Sequence, residues 1–236
     1  MQGEALIRRP RLTIRYWVGR IFLACLGWKV EGNAPHAPRC VMIAAPHTSL
    51  WDTPIMLAIS YVLGLRLRFM VKHTVFRWPF GYVMRWLGGI PIDRRARHNV
   101  VEQSIDAFKS RDTLVLVVPP EGTRKKVEYW KTGFYHIAHG AGVPILLGFL
   151  DFKKKVGGIG PMLRTSGDIH RDVEKIRSFY VGMEGKHPSL TSDIRVRPDA
   201  GRLTARPASP PVELDNDDTS IGVRPVLGDS PVLGDS

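Results

Sequence analysis

"CVMIAAPHTSLWDTPIMLAISYVLG", residues 40–64, changes character in its middle. Its first six residues are continuously apolar, the mark of a strand covered on both faces. From Pro54 to Gly64 it becomes an apolar segment of helical length, closed by a glycine. A strand that passes through a short polar loop into a helix is the first half of a parallel β-α-β unit. The alternation recurs down the chain. "LRFMVK" (67–72), "GIPI" (89–92), "TLVLVVP" (113–119) and "VPILLGFL" (143–150) read as further strands. "PFGYVMRWLG" (79–88), "NVVEQSIDAFKSR" (99–111) and "KTGFYHIAHGAG" (131–142) read as the helices between them, and "RDVEKIRSFYVGM" (171–183) follows the last strand. The pattern predicts an α/β fold, a mainly parallel sheet flanked by helices. In such sheets ligands bind beyond the carboxyl ends of strands.

With 236 residues, 44% of them apolar, the chain is long enough for one domain of about 150–200 residues. Three regions are expected. Residues 1–32 are expected to form a basic amphipathic helix, because Ile14, Trp17, Ile21, Cys25 and Trp28 recur at helical spacing beside Arg8, Arg11 and Arg15. Such a helix suits either a membrane interface or packing against the domain. Residues 33–182 carry the α/β pattern. Residues 183–236, rich in Pro, Asp, Ser, Gly and Arg and ending in two copies of "PVLGDS", are expected to be a disordered tail with little apolar surface to offset chain entropy.

Of the 34 Lys and Arg, six lie beyond residue 182, and of the 22 acids nine do, so residues 1–182 carry a net +15. That field favours nucleic acid, an anionic membrane surface or phosphorylated small molecules. The only cysteines, Cys25 and Cys40, are 15 residues apart. They are not a disulfide framework, and a reducing compartment is the simplest expectation. The run "IFLACLGW" (21–28) is far short of the roughly 20 residues that span a bilayer as a helix. No small-residue cleavage pattern follows it, and "RRPRL" (8–12) is a poor twin-arginine match, so export is not expected.

The loop between the first strand and helix holds His47 and, five positions on, Asp52. With 8 His and 14 Asp in the chain, roughly 0.5 such spacings arise by chance, so context must decide. One reading makes Asp52 the cap of a helix starting at Thr53 and Pro54; it leaves His47 without a role. Inside a single helix the two side chains would stand about 140° apart, so His47 belongs in the loop. There Asp52 can accept a hydrogen bond from one imidazole nitrogen and leave the other as an oriented proton acceptor, which a general base requires.

Two further loops end strands in the same way. "GGIPIDRR" (88–95) brings Arg94, and "VVPPEGTRKK" (117–126) brings Glu121, Gly122, Thr123 and Arg124. Glycine permits close backbone approach, and the guanidinium fork matches phosphate oxygens. Singly, each is read as a surface turn with a local ion pair; their shared position at strand ends argues for one site. Lys72 and His73 end the second strand but read better as solvated surface.

The ordered blocks PHTSLWD, GGIPIDR, PPEGTR and AGVPI resemble those of the glycerolipid, or lysophospholipid, acyltransferases typified by 1-acylglycerol-3-phosphate acyltransferase. The resemblance runs from about residue 36 to 182. It implies the family's α/β fold, His47 as general base, Asp52 as its orienting partner, and a phosphate-bearing acceptor bound by Arg94 and by Glu121, Gly122, Thr123 and Arg124. Three departures bear on acceptor choice: Pro46 where Asn is common, Lys125 where Ser is common, and Leu147 where a second proline is frequent.

The activity so implied is transfer of a fatty acyl group from acyl-CoA or acyl carrier protein to a hydroxyl of a lysophospholipid or glycerol phosphate. The expected setting is the inner, cytoplasmic face of a membrane. No GxSxG elbow, cysteine beside a base, or His/Cys metal spacing is present, so direct transfer without a cofactor or metal is expected. The aromatic and basic stretch "TVFRWPFGYVMRWLGG" (74–89) suits a lipid headgroup boundary, though core packing is the commoner fate of aromatics. The alternatives are a phospholipid transacylase using the same pair, or a non-catalytic lipid-binding member of the fold. Nucleic-acid binding is disfavoured, because no RNP, zinc-finger or Walker signature occurs.

Overall fold

The structure, a computed structural model, describes residues 13–201 except 36, 78–79 and 93–96. In chain order its elements are α1 (Ile14–Cys25), β1 (Lys29–Glu31), β2 (Arg39–Ala45), α2 (Asp52–Val62), β3 (Leu67–Lys72), α3 (Phe80–Leu87), β4 (Gly89–Ile92), α4 (Arg97–Lys109), β5 (Leu114–Val118), α5 (Gly133–Ala141), β6 (Ile145–Asp151), β7 (Val156–Leu163) and α6 (Ile169–Tyr180). Short 3₁₀ turns lie at His73–Phe76 and Pro188–Leu190.

One seven-stranded sheet has the order β1-β7-β6-β2-β5-β3-β4. Strands β6, β2, β5, β3 and β4 are mutually parallel, β7 runs antiparallel to β6, and β1 is parallel to β7. These five parallel strands are those expected from the sequence. Because β2, β5, β3 and β4 are parallel neighbours, the loops that leave them emerge at one edge of the sheet.

Alternate residues of the central strands feed two cores. Val41, Ile43, Leu116, Ile145 and Leu147 face Phe108, Phe134, Ile137, Val173 and Ile176 on α4, α5 and α6. Cys40, Met42, Val115, Val117 and Leu146 face the other way, toward the side covered by α2 and α1. Burial on both faces explains why these strands read as unbroken apolar runs.

The sequence reading missed β1 and β7. Strand β7 contains three glycines and a proline, which depress strand propensity. They are tolerated because space is scarce: a Cβ on Gly158 would stand 1.9 Å from the carbonyl oxygen of Glu31, and one on Gly157 2.6 Å from Ile59 Cδ1.

Two expected regions differ from the structure in extent. Helix α1 forms, capped by Thr13, whose hydroxyl accepts the Tyr16 N–H at 3.3 Å, but its buried residues are Gly19 and Leu23. The expected stripe points outward: Ile14 is 84% exposed, Trp17 53% and Ile21 60%, and Cys25 is exposed. Trp28 lies beyond the helix, buried with its ring edge-on to Phe152. Arg8 and Arg11 lie outside the described residues.

The expected tail also begins too early. Residues 183–201 lie on the domain, with Val196 and Ala200 in the main core and a backbone bond from Trp130 N–H to the Arg195 carbonyl at 2.8 Å. Residues 202–236 lie outside the described residues.

Candidate active site

The chain leaves β2 at Ala45, turns through residues 46–51 and enters α2 at Asp52. The Asp52 carboxylate does not cap its own helix. Its Oδ2 turns back on the loop and accepts from His47 Nδ1 at 3.0 Å, from Thr48 N–H at 2.8 Å and from Ser49 N–H at 2.9 Å. Asp52 is buried, whereas the His47 side chain is 25% exposed. With Nδ1 held by the carboxylate, the imidazole presents Nε2 as its free acceptor. Asp52 Oδ1 is buried and has no hydrogen-bond partner among the described residues.

Strand β5 neighbours β2 in parallel register, Ile43 opposite Val118, so the loop after β5 lies beside the His47 loop. Glu121, 2% exposed, accepts the backbone N–H of His47 on Oε2 at 2.9 Å. Burial pushes its carboxyl up from 4.5 to about 7; the nearby Asp52 charge raises it too, while the His47 N–H and imidazole pull it down.

Gly122 turns the chain at φ 65°, closing on Pro119 O at 3.1 Å. The nearest atoms to a Cβ there belong to the movable end of the Lys131 side chain, so the turn takes glycine for its conformation. Thr123 and Arg124 are exposed in the same turn, and the Thr123 hydroxyl accepts the Lys125 N–H at 3.3 Å. Arg94 lies outside the described residues; the strand before it, β4, ends at the same sheet edge as β2 and β5. His73 opens the 3₁₀ turn after β3 and is exposed.

Next to His47 and Asp52 a cavity of about 290 Å³ enters the protein between α2 and the sheet. Met42, Met56, Leu63, Leu67, Phe69 and Ile159 are among its apolar walls. It therefore joins a proton-accepting group at its mouth to an interior fit for an aliphatic chain. Cys40 offers no alternative nucleophile, because burial in β2 pushes its thiol up to about 12. Among the described residues no group of three His, Cys, Asp or Glu side chains could hold a metal ion.

The Acyltransferase family model matches residues 28–146, which include both loops and the strands that carry them. The chain belongs to the Acyltransferase family. It is 32% identical over 140 residues to the 1-acyl-sn-glycerol-3-phosphate acyltransferase of Haemophilus influenzae, a match covering 55% of this chain and 56% of that protein. The chain thus matches little more than half the length of that relative. The fold is also that of PlsC, the 1-acyl-sn-glycerophosphate (LPA) acyltransferase of Thermotoga maritima, with TM-score 0.53 and 22% identity over 71% of this chain and 75% of that one.

One part of this Acyltransferase-family site lies outside the matched region and was not foreseen. Thr48 is buried, and its hydroxyl accepts the His187 N–H at 3.2 Å. Gly185 packs so tightly on it that a Cβ would stand 2.6 Å from Thr48 Oγ1 and 2.7 Å from its Cγ2. Lys186 Nζ lies 5.1 Å over the Trp51 ring. Further on, the Ser192 hydroxyl accepts the Val127 N–H at 3.0 Å. Residues 185–195 thus form a strap touching both the His47 loop and the segment after Glu121. Its contacts rest on backbone groups, a glycine and a serine, which give no hydrophobic pattern to read.

Proposed function

We propose that this protein transfers a fatty acyl group from a thioester, carried by CoA or acyl carrier protein, to a free hydroxyl of a lysophospholipid or glycerol-phosphate acceptor. The observation that carries the reading is the His47–Asp52 pair at the mouth of an apolar cavity. His47 Nε2 takes the hydroxyl proton as that oxygen attacks the thioester carbonyl. Asp52 holds the ring and stabilises the imidazolium that forms. The thiol leaves with a proton returned from the imidazolium, and no acyl-enzyme is needed. The acyl chain occupies the cavity. Arg94 and the turn at Gly122, Thr123 and Arg124 bind the acceptor phosphate, while Glu121 holds the His47 loop.

Substrates with fatty chains suit an enzyme working at an anionic membrane surface, on its cytoplasmic face. Among the described residues no helix is long and apolar enough to cross a membrane. Instead, Ile14, Trp17 and Ile21 of α1 and Tyr82, Val83 and Trp86 of α3 are all exposed. Arg15 links the two helices, its guanidinium 5.5 Å from the Trp86 ring. Outward apolar and aromatic side chains interleaved with a cation suit the headgroup boundary better than water.

The test is purified protein given labelled acyl-CoA, acyl carrier protein or phospholipid as donor and a panel of lysophospholipids and glycerol phosphates, with products read by mass spectrometry. His47→Ala and Asp52→Asn are expected to lose about 10²–10⁴ of turnover while remaining folded. Near-normal turnover by His47→Ala would refute the mechanism, and transfer from phospholipid alone would replace the thioester donor.

A further inference from the structure

We infer that the donor's carrier arm leaves the active site on the β6 side of the His47 loop, where Lys186 of the strap holds its phosphate and Leu50 and Trp51 pack against its apolar part. On the acyl-transfer reading given above, three groups leave the reacting carbonyl in different directions. The acyl chain takes the apolar cavity, and the acceptor phosphate takes the loops after β4 and β5. In the sheet order those strands lie on one side of β2, and β6 lies on the other. The direction left for the donor is therefore the β6 side. CoA and acyl carrier protein send the same chemistry along it: a flexible pantetheine arm that ends in a phosphate.

A rim is built there from the catalytic loop and the strap. Strand β6 ends at the same sheet edge as β2, Ala45 opposite Phe149, and the chain leaving it is tied down by the Phe152 N–H on the Glu184 carbonyl at 2.9 Å. Gly185 and His187 then both meet Thr48, the residue after the general base, so Lys186 between them is fixed beside the loop. Its ammonium lies 5.1 Å over the ring of Trp51, the residue before Asp52. The neighbouring carboxylates are already engaged: Glu184 pairs with Lys153 at 2.6 Å, and Asp151 is buried and pairs with Lys154 at 3.5 Å. Lys186 itself meets no carboxylate among the described residues. A flexible ammonium resting on an exposed ring is free to turn to a phosphate while staying near the ring. Leu50 is 74% exposed and Trp51 46%. Large apolar side chains that a catalytic loop leaves bare in water suit the methyl-bearing arm of pantetheine.

The test is Lys186→Ala, an exposed position, in the purified full chain. An interaction remote from the reacting carbonyl is made equally with bound substrate and transition state, so its loss raises KM without lowering kcat. Donor KM is expected to rise about fivefold to tenfold, with kcat and acceptor KM unchanged, and Lys186→Arg is expected to restore it. Calorimetric titration with phosphopantetheine, CoA, adenosine 3′,5′-bisphosphate and holo acyl carrier protein reads the same site without turnover. In Lys186→Ala the dissociation constants of phosphopantetheine and of at least one whole carrier are expected to rise by the same factor, and the carrier that responds is the one this rim serves. Lys109→Ala, an equal loss of charge on α4, is expected to leave all of them unchanged. Unchanged donor KM and binding in Lys186→Ala would overturn the site while leaving acyl transfer standing, as would an equal loss in Lys109→Ala. A loss confined to CoA and the adenosine bisphosphate would give the cation to the nucleotide and overturn its assignment to the arm. Protein that binds phosphopantetheine through Lys186 yet transfers no acyl group would uphold the site and remove the transfer reading instead.

Discussion

Replacing Glu121 by Gln separates the hydrogen bond this side chain makes from the charge it carries. Gln retains a carbonyl oxygen that can accept the His47 N–H, now met at 2.9 Å, but it cannot ionise. Burial raises the Glu121 carboxyl from 4.5 to about 7, so the folded state keeps its proton to higher pH than the unfolded chain does. Stability is therefore fully present below about pH 4.5, falls as pH rises through about 7, and stays low above that. A difference of about 2.5 units corresponds to about 3 kcal/mol. Relative to wild type, Glu121→Gln is expected to be of similar stability near pH 5 and more stable by up to about 3 kcal/mol near pH 8. Urea unfolding of both proteins across that range, plotted as a difference, cancels the other titrating groups. A flat difference, or one in which Gln loses ground as pH rises, would refute the account of Glu121 as a buried, protonatable acceptor. Glu121→Ala removes the acceptor as well and is expected to cost about 1–3 kcal/mol at acidic pH.

Gly185→Ala forces a methyl against a stiff, buried Thr48 side chain. It is expected to destabilise by about 1–3 kcal/mol and lower kcat more than it raises KM; the double variant with Thr48→Ala, which removes both clashing atoms, should recover part of the kcat loss. If the double variant is no better than Gly185→Ala, the strap does not act through Thr48. Tyr135→Phe deletes the hydroxyl that donates to Asp172 Oδ2 at 2.9 Å and accepts the Gly167 N–H at 3.1 Å. Thermal unfolding should show a loss of about 1–3 kcal/mol with turnover at saturating substrate unchanged. Trp17→Asp combined with Trp86→Asp should leave the folding midpoint near wild type while reducing sedimentation with phosphatidylglycerol vesicles; undiminished sedimentation would remove α1 and α3 from the membrane reading.

What could be read in advance follows from which contacts are written in side chains. Strand β2 shows in the sequence because both of its faces are apolar and buried, and the His47–Asp52 pairing shows because a five-residue spacing excludes a shared helix. Helix α1 was legible in period but not in direction. Hydropathy marks an apolar stripe, but the face that packs is set by the smallest residue, Gly19, where an added Cβ would stand 2.6 Å from the Ala58 carbonyl oxygen of α2. Strand β7 was hidden by the glycines that let β1 and α2 approach it. Just beyond the strap, Val196 and Ala200 are isolated among polar residues, and within it no letter of the sequence records a bond from a backbone N–H. Glu121 was recognised as part of the site, but its contact is with the main chain of His47.

That main-chain contact bears on how the site is held. Three successive amides, those of His47, Thr48 and Ser49, donate to two buried carboxylates, Glu121 from the loop after β5 and Asp52 from the start of α2. Two acids this close disfavour each other's ionisation, and the Asp52 charge contributes to raising Glu121. The amide bonds and the imidazole offset that repulsion. The loop's shape is therefore set less by its own residues than by the parallel pairing of β2 with β5, which brings Glu121 within reach. A change that slides β5 along β2 would withdraw the acceptor from His47 without touching the His47–Asp52 bond, and the ring would lose its aim toward the apolar cavity while keeping its partner.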